Sequence, residues 1–411
     1  MFQEVSPFEA ECLVEALKEI DIEDVGSSEW LSQHESVERL NKQAHVQARS
    51  GDEFVTDALC TFEKVPTLIH ELVVIETWKE KLFPLLKKKL SKMSTLRSYL
   101  PIYHEASLAN LLEVSLFHEN AAEAADDQAV DLIAWCHRKL VYLCETPNSE
   151  LLPPDLDVSA SLNQSREEEL ERLKKEAEFK IAVCALSIVR FLTDHMHKMS
   201  PSVATTLLNQ HDFLLLLVPL MEKQPWHRVN SKGEPERFED LQWVPLSADG
   251  EGDSVAAERL AQLHAQCWLC VFNLVMSEAG RTRYELSGFR KDNLLKLRRW
   301  MNESLYDQLP PLVELHRCLE TLAVAGTLGG PNATPPCVVE LMPEIRSRLL
   351  SKYKGGGASE KGENGKWKEA AKRIAKRHFA SENPEELKRL AESLMQFPVL
   401  DPRCAVCGKD V

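Results

Sequence analysis

Apolar positions recur at three- and four-residue spacing almost from the first residue, the period of helices that bury one face. Ser6-Pro7-Phe8-Glu9 opens the series with an N-cap serine, a proline at the first helical position and a glutamate placed to close a capping box. Phe8, Cys12, Leu13, Ala16, Leu17 and Ile20 then share one face, which is expected to meet a core. A second helix fits Glu29 to Arg49, with Trp30, Val37, Leu40 and Ala44 inward. Pro66 opens a third, whose stripe is Leu68, Ile69, Leu72, Val73 and Ile75. Further helices fit Ala106 to His118 and Asp126 to Cys144.

Pro147, Pro153 and Pro154 interrupt the pattern and mark 146–165 as a linker. Arg166 begins a long helix, charged at first and apolar from Ile181 to Met196; the first half is expected to be solvated and the second buried. Ser200-Pro201 restarts the chain into a helical hairpin ending near Glu222. Residues 224–253, with Trp226 and Trp243 among Pro and Gly, read as an irregular excursion. Val255 to Ser277 reads as a core helix through Leu260, Leu263, Cys267, Val271 and Leu274. Helices near Asp292 to Leu305 and over Leu312 to Ala325 follow.

The expected organisation is an N-terminal helical region (1–145), the linker (146–165), a central helical region (166–325), a second linker (326–340) and C-terminal helices (341–400). The last region is interrupted by a Gly-rich linker at 355–365 and followed by residues 401–411. No strand-like alternation persists for more than a few residues. The expected fold is all-α, an armadillo- or HEAT-like solenoid or an irregular helical bundle, although no clean repeat of the ~40 residues such solenoids use is visible.

A net charge of −15 over 411 residues argues against nucleic acid as a general partner. Met1 to Glu11 carries three glutamates and no basic residue, so no secretory leader is expected. The longest apolar run, Phe213 to Met221, is interrupted by Pro219 and falls far short of the roughly 20 residues a membrane span needs. Eleven scattered cysteines read as reduced thiols, and the expectation is a soluble cytoplasmic protein.

Candidate chemistry is sparse. The pairs His34-Glu35, His70-Glu71, His104-Glu105 and His118-Glu119 lack the second histidine a helical zinc-protease site needs four residues on, and are expected to be surface or helix-end residues. The 355–366 stretch fails as a phosphate loop, with Glu360 and Trp367 where Gly and Ser or Thr are required. His195 and His197 are two apart on a helix and face different ways. Trp367 to Phe379 is a basic amphipathic helix, read as a docking helix in preference to a membrane or calmodulin-binding one. Cys267-Trp268-Leu269-Cys270 lies inside an apolar helix and reads as core packing. Cys404-Ala405-Val406-Cys407-Gly408 differs: two thiolates on a tight turn begin a zinc knuckle. The chain stops at Val411, so this pair stands alone and metal is expected to be held weakly if at all.

Several segments, in order and spanning nearly the whole chain, resemble the BLU-type MYND zinc-finger proteins, a family of helical proteins with one C-terminal MYND finger. They include KVPTLIHELVVIETWKEKLFP from Lys64, HEASLANLLEVSLFH from His104, CHRKLVYL from Cys136 and ALSIVRFLTD from Ala185. FRKDNLLKLR from Phe289, YDQLPPLVEL from Tyr306, GKWKEAAKRIAKRHF from Gly365 and PRCAVCG from Pro402 continue the series. The resemblance implies a non-enzymatic adaptor for cytoplasmic preassembly of the axonemal dynein arms of motile cilia. It implies as partners a leucine-rich-repeat assembly factor, chaperones with an immunophilin co-chaperone, and dynein chains, at centriolar satellites and in the apical cytoplasm of ciliated cells. It also implies zinc in the full-length member, with Cys404 and Cys407 as the first ligand pair of a finger incomplete here. The rival readings are a nuclear MYND corepressor, which should show a cleaner basic import cluster, and a MYND lysine methyltransferase, which should show β-strands of a catalytic domain.

Overall fold

The computed structural model describes residues 4–151, 163–239, 241–246, 259–326, 341–354 and 360–380, together with 328, 385 and 388. Ser6 caps the first helix as its place in the sequence demands. Its Oγ accepts from the Glu9 N–H at 3.2 Å, and Pro7 takes the first position of α1 (Pro7–Glu15). The buried face of α1 is not the expected one. Ala10 and Val14 go inward, while Cys12 is exposed and Phe8 is 75% exposed. The helix ends at Glu15; beyond it Leu17 and Ile20 are buried as expected, while Ala16 is exposed. The Glu9 carboxylate pairs with Arg39.

The chain continues through α2 (Ser28–Ser50), α3 (Phe54–Thr61), α4 (Val65–Lys81), α5 (Phe83–Leu90), α6 (Thr95–Leu116), α7 (Glu119–Ala124), α8 (Ala129–Glu145), α9 (Asn148–Leu151) and the long α10 (Arg166–His195). Next, α11 (Pro201–Thr205) runs into a π-helical turn, Thr206–Gln210, before α12 (Phe213–Lys223). Three short strands follow, β1 (His227–Val229), β2 (Pro235–Glu239) and β3 (Gln242–Pro245). The helices resume with α13 (Gln262–Met276), α14 (Glu278–Arg283), α15 (Gly288–Leu295), α16 (Glu303–Gln308), α17 (Leu312–Ala325), α18 (Ile345–Tyr353) and α19 (Glu360–Arg377). The architecture is all-α in class, of the helical-solenoid or irregular-bundle kind.

Two departures from the sequence pattern have physical causes. The strands pair antiparallel in the order β1-β2-β3, with His227 opposite Arg237 and Phe238 opposite Trp243, so the excursion at 224–253 contains a small meander. Strands of three to five residues are too short to show alternation in sequence, and Pro235 and Pro245 disguise them further. The last helix starts at Glu360, inside the stretch expected as a linker. Burial of its Trp367, Ala370 and Ile374 supports a helix that propagates back over weak helix formers.

Contacts divide the chain into two units, Met1–Leu132 with Leu156–Ile181 and Met342–Val411, and Ile133–Asp155 with Ala182–Leu341. In the first, α4 is the central helix, packed by α5, α6 and α18. Every residue from Glu71 to Lys79 is buried, which is what the continuous apolar run Leu72 to Ile75 on a helix requires. Beside it, α2 uses three glutamines to hold neighbouring backbone. Gln33 both accepts from and donates to Lys18 backbone at 3.1 and 2.8 Å, Gln43 accepts from Val5 N–H at 2.9 Å, and Gln47 accepts from Val55 N–H at 3.2 Å.

In the second unit α13 packs on α12, α14 and α17 and buries Trp268, while Trp226 is buried just beyond α12. Lys223 ends α12 and caps α8. Its Nζ donates to the Leu143 and Cys144 carbonyls at 2.7 and 3.1 Å, and to that of Thr146, placing a cation where the helix dipole is negative. No single helix among the described residues is long and apolar enough to cross a membrane. One bent pair, Pro201–Gln210 with Phe213–Lys223, passes by length and composition, and its apolar residues Leu207, Leu208, Leu214 and Leu217 are buried in the protein.

Candidate functional site

Cys404 and Cys407 lie outside the described residues. Among the described residues, no group of three or more His, Cys, Asp or Glu side chains is arranged to hold a metal ion. Cys267 and Cys270 are fully buried on α13, and burial pushes both thiols up, Cys270 to about 12. A thiol so desolvated is a small core hydrophobe and a poor nucleophile. His195 is half-buried at the end of α10, and His197 is exposed in the turn beyond it, off the helix on which both were expected.

The His-Glu pairs are where structure and sequence part. His34, Glu71, His104 and Glu105 are buried to 1% exposure or less inside the first unit, and the first three form one polar network. His34 comes from α2, Glu71 and Lys79 from α4, and His104 and Glu105 from α6, the three helices that pack together there. His104 Nε2 lies 2.7 Å from Glu71 Oε1, and its Nδ1 lies 2.8 Å from His34 Nδ1. One consistent assignment has His104 donate Nε2–H to the carboxylate and accept at Nδ1 from His34. Gln33 donates to the other Glu71 oxygen. Trp30 stacks on His34 with ring centroids 5.6 Å apart and meets His104 edge-on at 4.9 Å.

A second cluster sits beside the first in sequence on α4 and α6. Lys79 Nζ bridges Glu105 at 2.7 Å and Glu178 at 2.6 Å, the latter from the first half of α10. Burial holds His34 well below the ordinary imidazole range, and the neighbouring His104 adds to the effect. These groups answer one another at such depth that exchanging a proton with a substrate would require opening the fold. Their chemistry is the fixing of register between α2, α4, α6 and α10. Single-residue reasoning missed both clusters because their contacts join positions 26 to 99 apart, on four different helices in all. The available signal was Glu71 itself, an acid with core residues Leu68 three places before it and Ile75 four places after it.

His70 and His118 keep to the expected margins, half-buried and facing Glu19 at 3.7 Å and Glu53 at 2.8 Å. The basic helix α19 docks on its own unit. Trp367 stacks on Tyr353 of α18 at 3.9 Å, and Ile374 and Phe379 are fully buried. Glu23 fixes it from outside, taking Arg373 through Nη2 and Nε at 2.6 and 3.1 Å and the Tyr353 hydroxyl at 2.9 Å. With that apolar face covered, α19 has none left for a bilayer or for capture by a groove.

Comparison with known proteins places the chain beside a MYND-domain relative. Over 355 residues the chain is 30% identical to the zinc finger MYND domain-containing protein 10 homolog of Drosophila melanogaster, covering 86% of this chain and 76% of that one. No family model matches the chain. No solved structure matches it either.

Proposed function

Because the chain belongs to the zinc finger MYND domain-containing protein 10 family, we propose that it is a non-enzymatic, co-chaperone-like adaptor for cytoplasmic preassembly of axonemal dynein arms. The observation that carries the reading is the state of the buried titratable groups. His34, His104 and Glu71 engage one another, Lys79 engages Glu105, and the Cys267 and Cys270 thiols are buried and suppressed. What remains for function is the outer surface of packed helices, the kind of surface that holds other proteins. The resemblance to the dynein-assembly MYND proteins supplies the rest: a leucine-rich-repeat assembly factor, chaperones with an immunophilin co-chaperone, and dynein chains as partners. It also supplies the setting, the cytoplasm of ciliated cells including centriolar satellites.

Zinc enters this reading only through Cys404 and Cys407. Two thiolates are half of a closed tetrahedral set, and by themselves they do not fit a structural zinc site. Bound in a complete set, zinc would supply folding energy to a small finger.

The test is affinity capture of the tagged chain from ciliating cells, with identification of what co-purifies. Chaperones, assembly factors and dynein chains are expected. Recovery of chromatin proteins from a nuclear pool would contradict the proposal and favour the corepressor reading.

A further inference from the structure

The docking of α19 leaves its other face unexplained. From Lys366 to Arg377 the helix carries six cations against one carboxylate, Glu369, in a chain whose net charge is −15. Lys368, Lys372 and Lys376 follow one another at four-residue spacing, and Arg373 and Arg377 form a second row beside them; all five are exposed. Arg373 is tied to Glu23, but among the described residues no carboxylate pairs with Lys368, Lys372, Lys376 or Arg377. The helix packs on α5, whose last turn carries Lys87, Lys88 and Lys89, Lys87 being paired with Glu171 at 2.9 Å. Since Trp367, Ala370, Ile374 and Phe379 are buried, the ridge is held on a fixed backbone with its lysines outward.

We infer that this ridge is a docking site for an acidic, extended peptide segment of a partner protein. The geometry favours that occupant. Successive lysines of the row rise about 6 Å along the helix, and alternate side chains on one edge of an extended peptide lie about 6.6 Å apart. From Lys368 to Arg377 the ridge is about 13 Å long, the reach of roughly four extended residues. An acidic peptide fits inside that footprint. A DNA duplex or an anionic bilayer extends beyond it, onto a protein that is acidic elsewhere. At physiological salt, screening over about 8 Å keeps the local patch dominant for a small ligand. The inference deepens the adaptor reading and rests on it, giving one partner contact a chemistry.

The test titrates the full chain with a fluorescent peptide of alternating Glu and Ser, its Gln-for-Glu counterpart, a short DNA duplex and phosphatidylserine vesicles. The Glu peptide should bind, the Gln peptide should not, and K368E/K372E/K376E should weaken binding by about tenfold. K368R/K372R/K376R, which keeps the charges, should bind within about twofold of the natural chain. Thermal melts of each variant show that folding is retained, as expected for exposed positions. Equal binding by the natural and charge-reversed chains would overturn the inference, as would tighter capture of duplex or vesicle than of peptide. Arm counts in cells lacking the chain judge the adaptor reading separately. Normal arms there would contradict that reading without touching the peptide result.

Discussion

In the first unit the helix covered on all sides, α4, carries Glu71 and Lys79 into the core, where His104, Gln33, Glu105 and Glu178 answer them. In the second unit, α13 buries Leu263, Cys267, Trp268, Cys270, Val271 and Leu274 and carries no Asp, Glu, Lys or Arg at all. Both helices are core helices, yet one is held by matched charges and the other by shape. A matched network is intolerant of losing a member, because the partner is stranded in a medium that cannot solvate it. An apolar core accepts rearrangement as long as volume is kept. The first unit should therefore be the one whose helix register is specified, and the second the one that tolerates substitution.

The largest expected effect breaks this contrast directly. K79M strands Glu105 and should cost about 3–5 kcal/mol in urea unfolding. K79M/E105L, which removes Lys79 and its fully buried partner and leaves only the partly exposed Glu178, should recover much of that. L274M in the other core should cost less than about 1.5 kcal/mol. Equal losses for K79M and L274M would show that the network contributes nothing beyond packing.

A smaller effect probes how α19 closes the first unit. Gly26 has φ +93°, and a Cβ there would lie 2.6 Å from Cζ of the buried Phe379 ring. Arg97 donates to the carbonyls of both Gly26 and His378, at 2.7 and 2.9 Å, so the two segments cannot easily move apart. G26A should cost about 2 kcal/mol through backbone strain and overlap. Double-strength proteolysis at the C-terminal helix in this variant, with the second unit resistant, would localise the damage.

How far the sequence carried this picture can be seen at particular residues. The caps and apolar stripes were legible because they are local: Ser6 with Pro7, Trp30 with Val37 and Leu40, and a helix over Leu312–Ala325 found with its own boundaries. The inward face of α1 was misread because Phe8 looks like a core residue and is exposed, which no local pattern reveals. The β-meander was hidden by its shortness. Gln33, Gln43 and Gln47 looked like solvated polar residues, and their task is to bind backbone 15, 38 and 8 positions away. The histidine network was hidden for the same reason, since its members are distant in sequence. Cys404 and Cys407 remain a reading of the sequence, because they lie outside the described residues.

Acid should act on both cores, and this sharpens the comparison. Burial holds His45 of α2 at about 4, and does the same to His264 of α13. Unfolded, each titrates near 6.5. The unfolded chain thus binds more protons below pH 6.5, so the stabilisation is complete above that value and is lost as pH falls toward the folded value. His45 alone should account for a loss on the order of 2 kcal/mol between about pH 7 and 5. H45L should flatten the first unit's pH profile and H264L the second's. A profile unchanged by either substitution would mean that both histidines are already charged in the fold.

The smallest effects concern the thiols. C267A and C270A should each cost about 1 kcal/mol and leave partner capture intact. In the native chain, alkylation at mild alkaline pH followed by mass spectrometry should mark exposed Cys12 well before Cys267 or Cys270. Early labelling of the α13 pair would show that the second core opens far more readily than its packing implies.

The central claim, that this helical chain serves dynein arm assembly by holding proteins and not by turning over a substrate, is tested most directly in axonemes. Electron microscopy of cilia from cells lacking the protein should show axonemes of normal length without their dynein arms, restored when the full chain is returned. Intact arms in the absence of the chain would contradict the account.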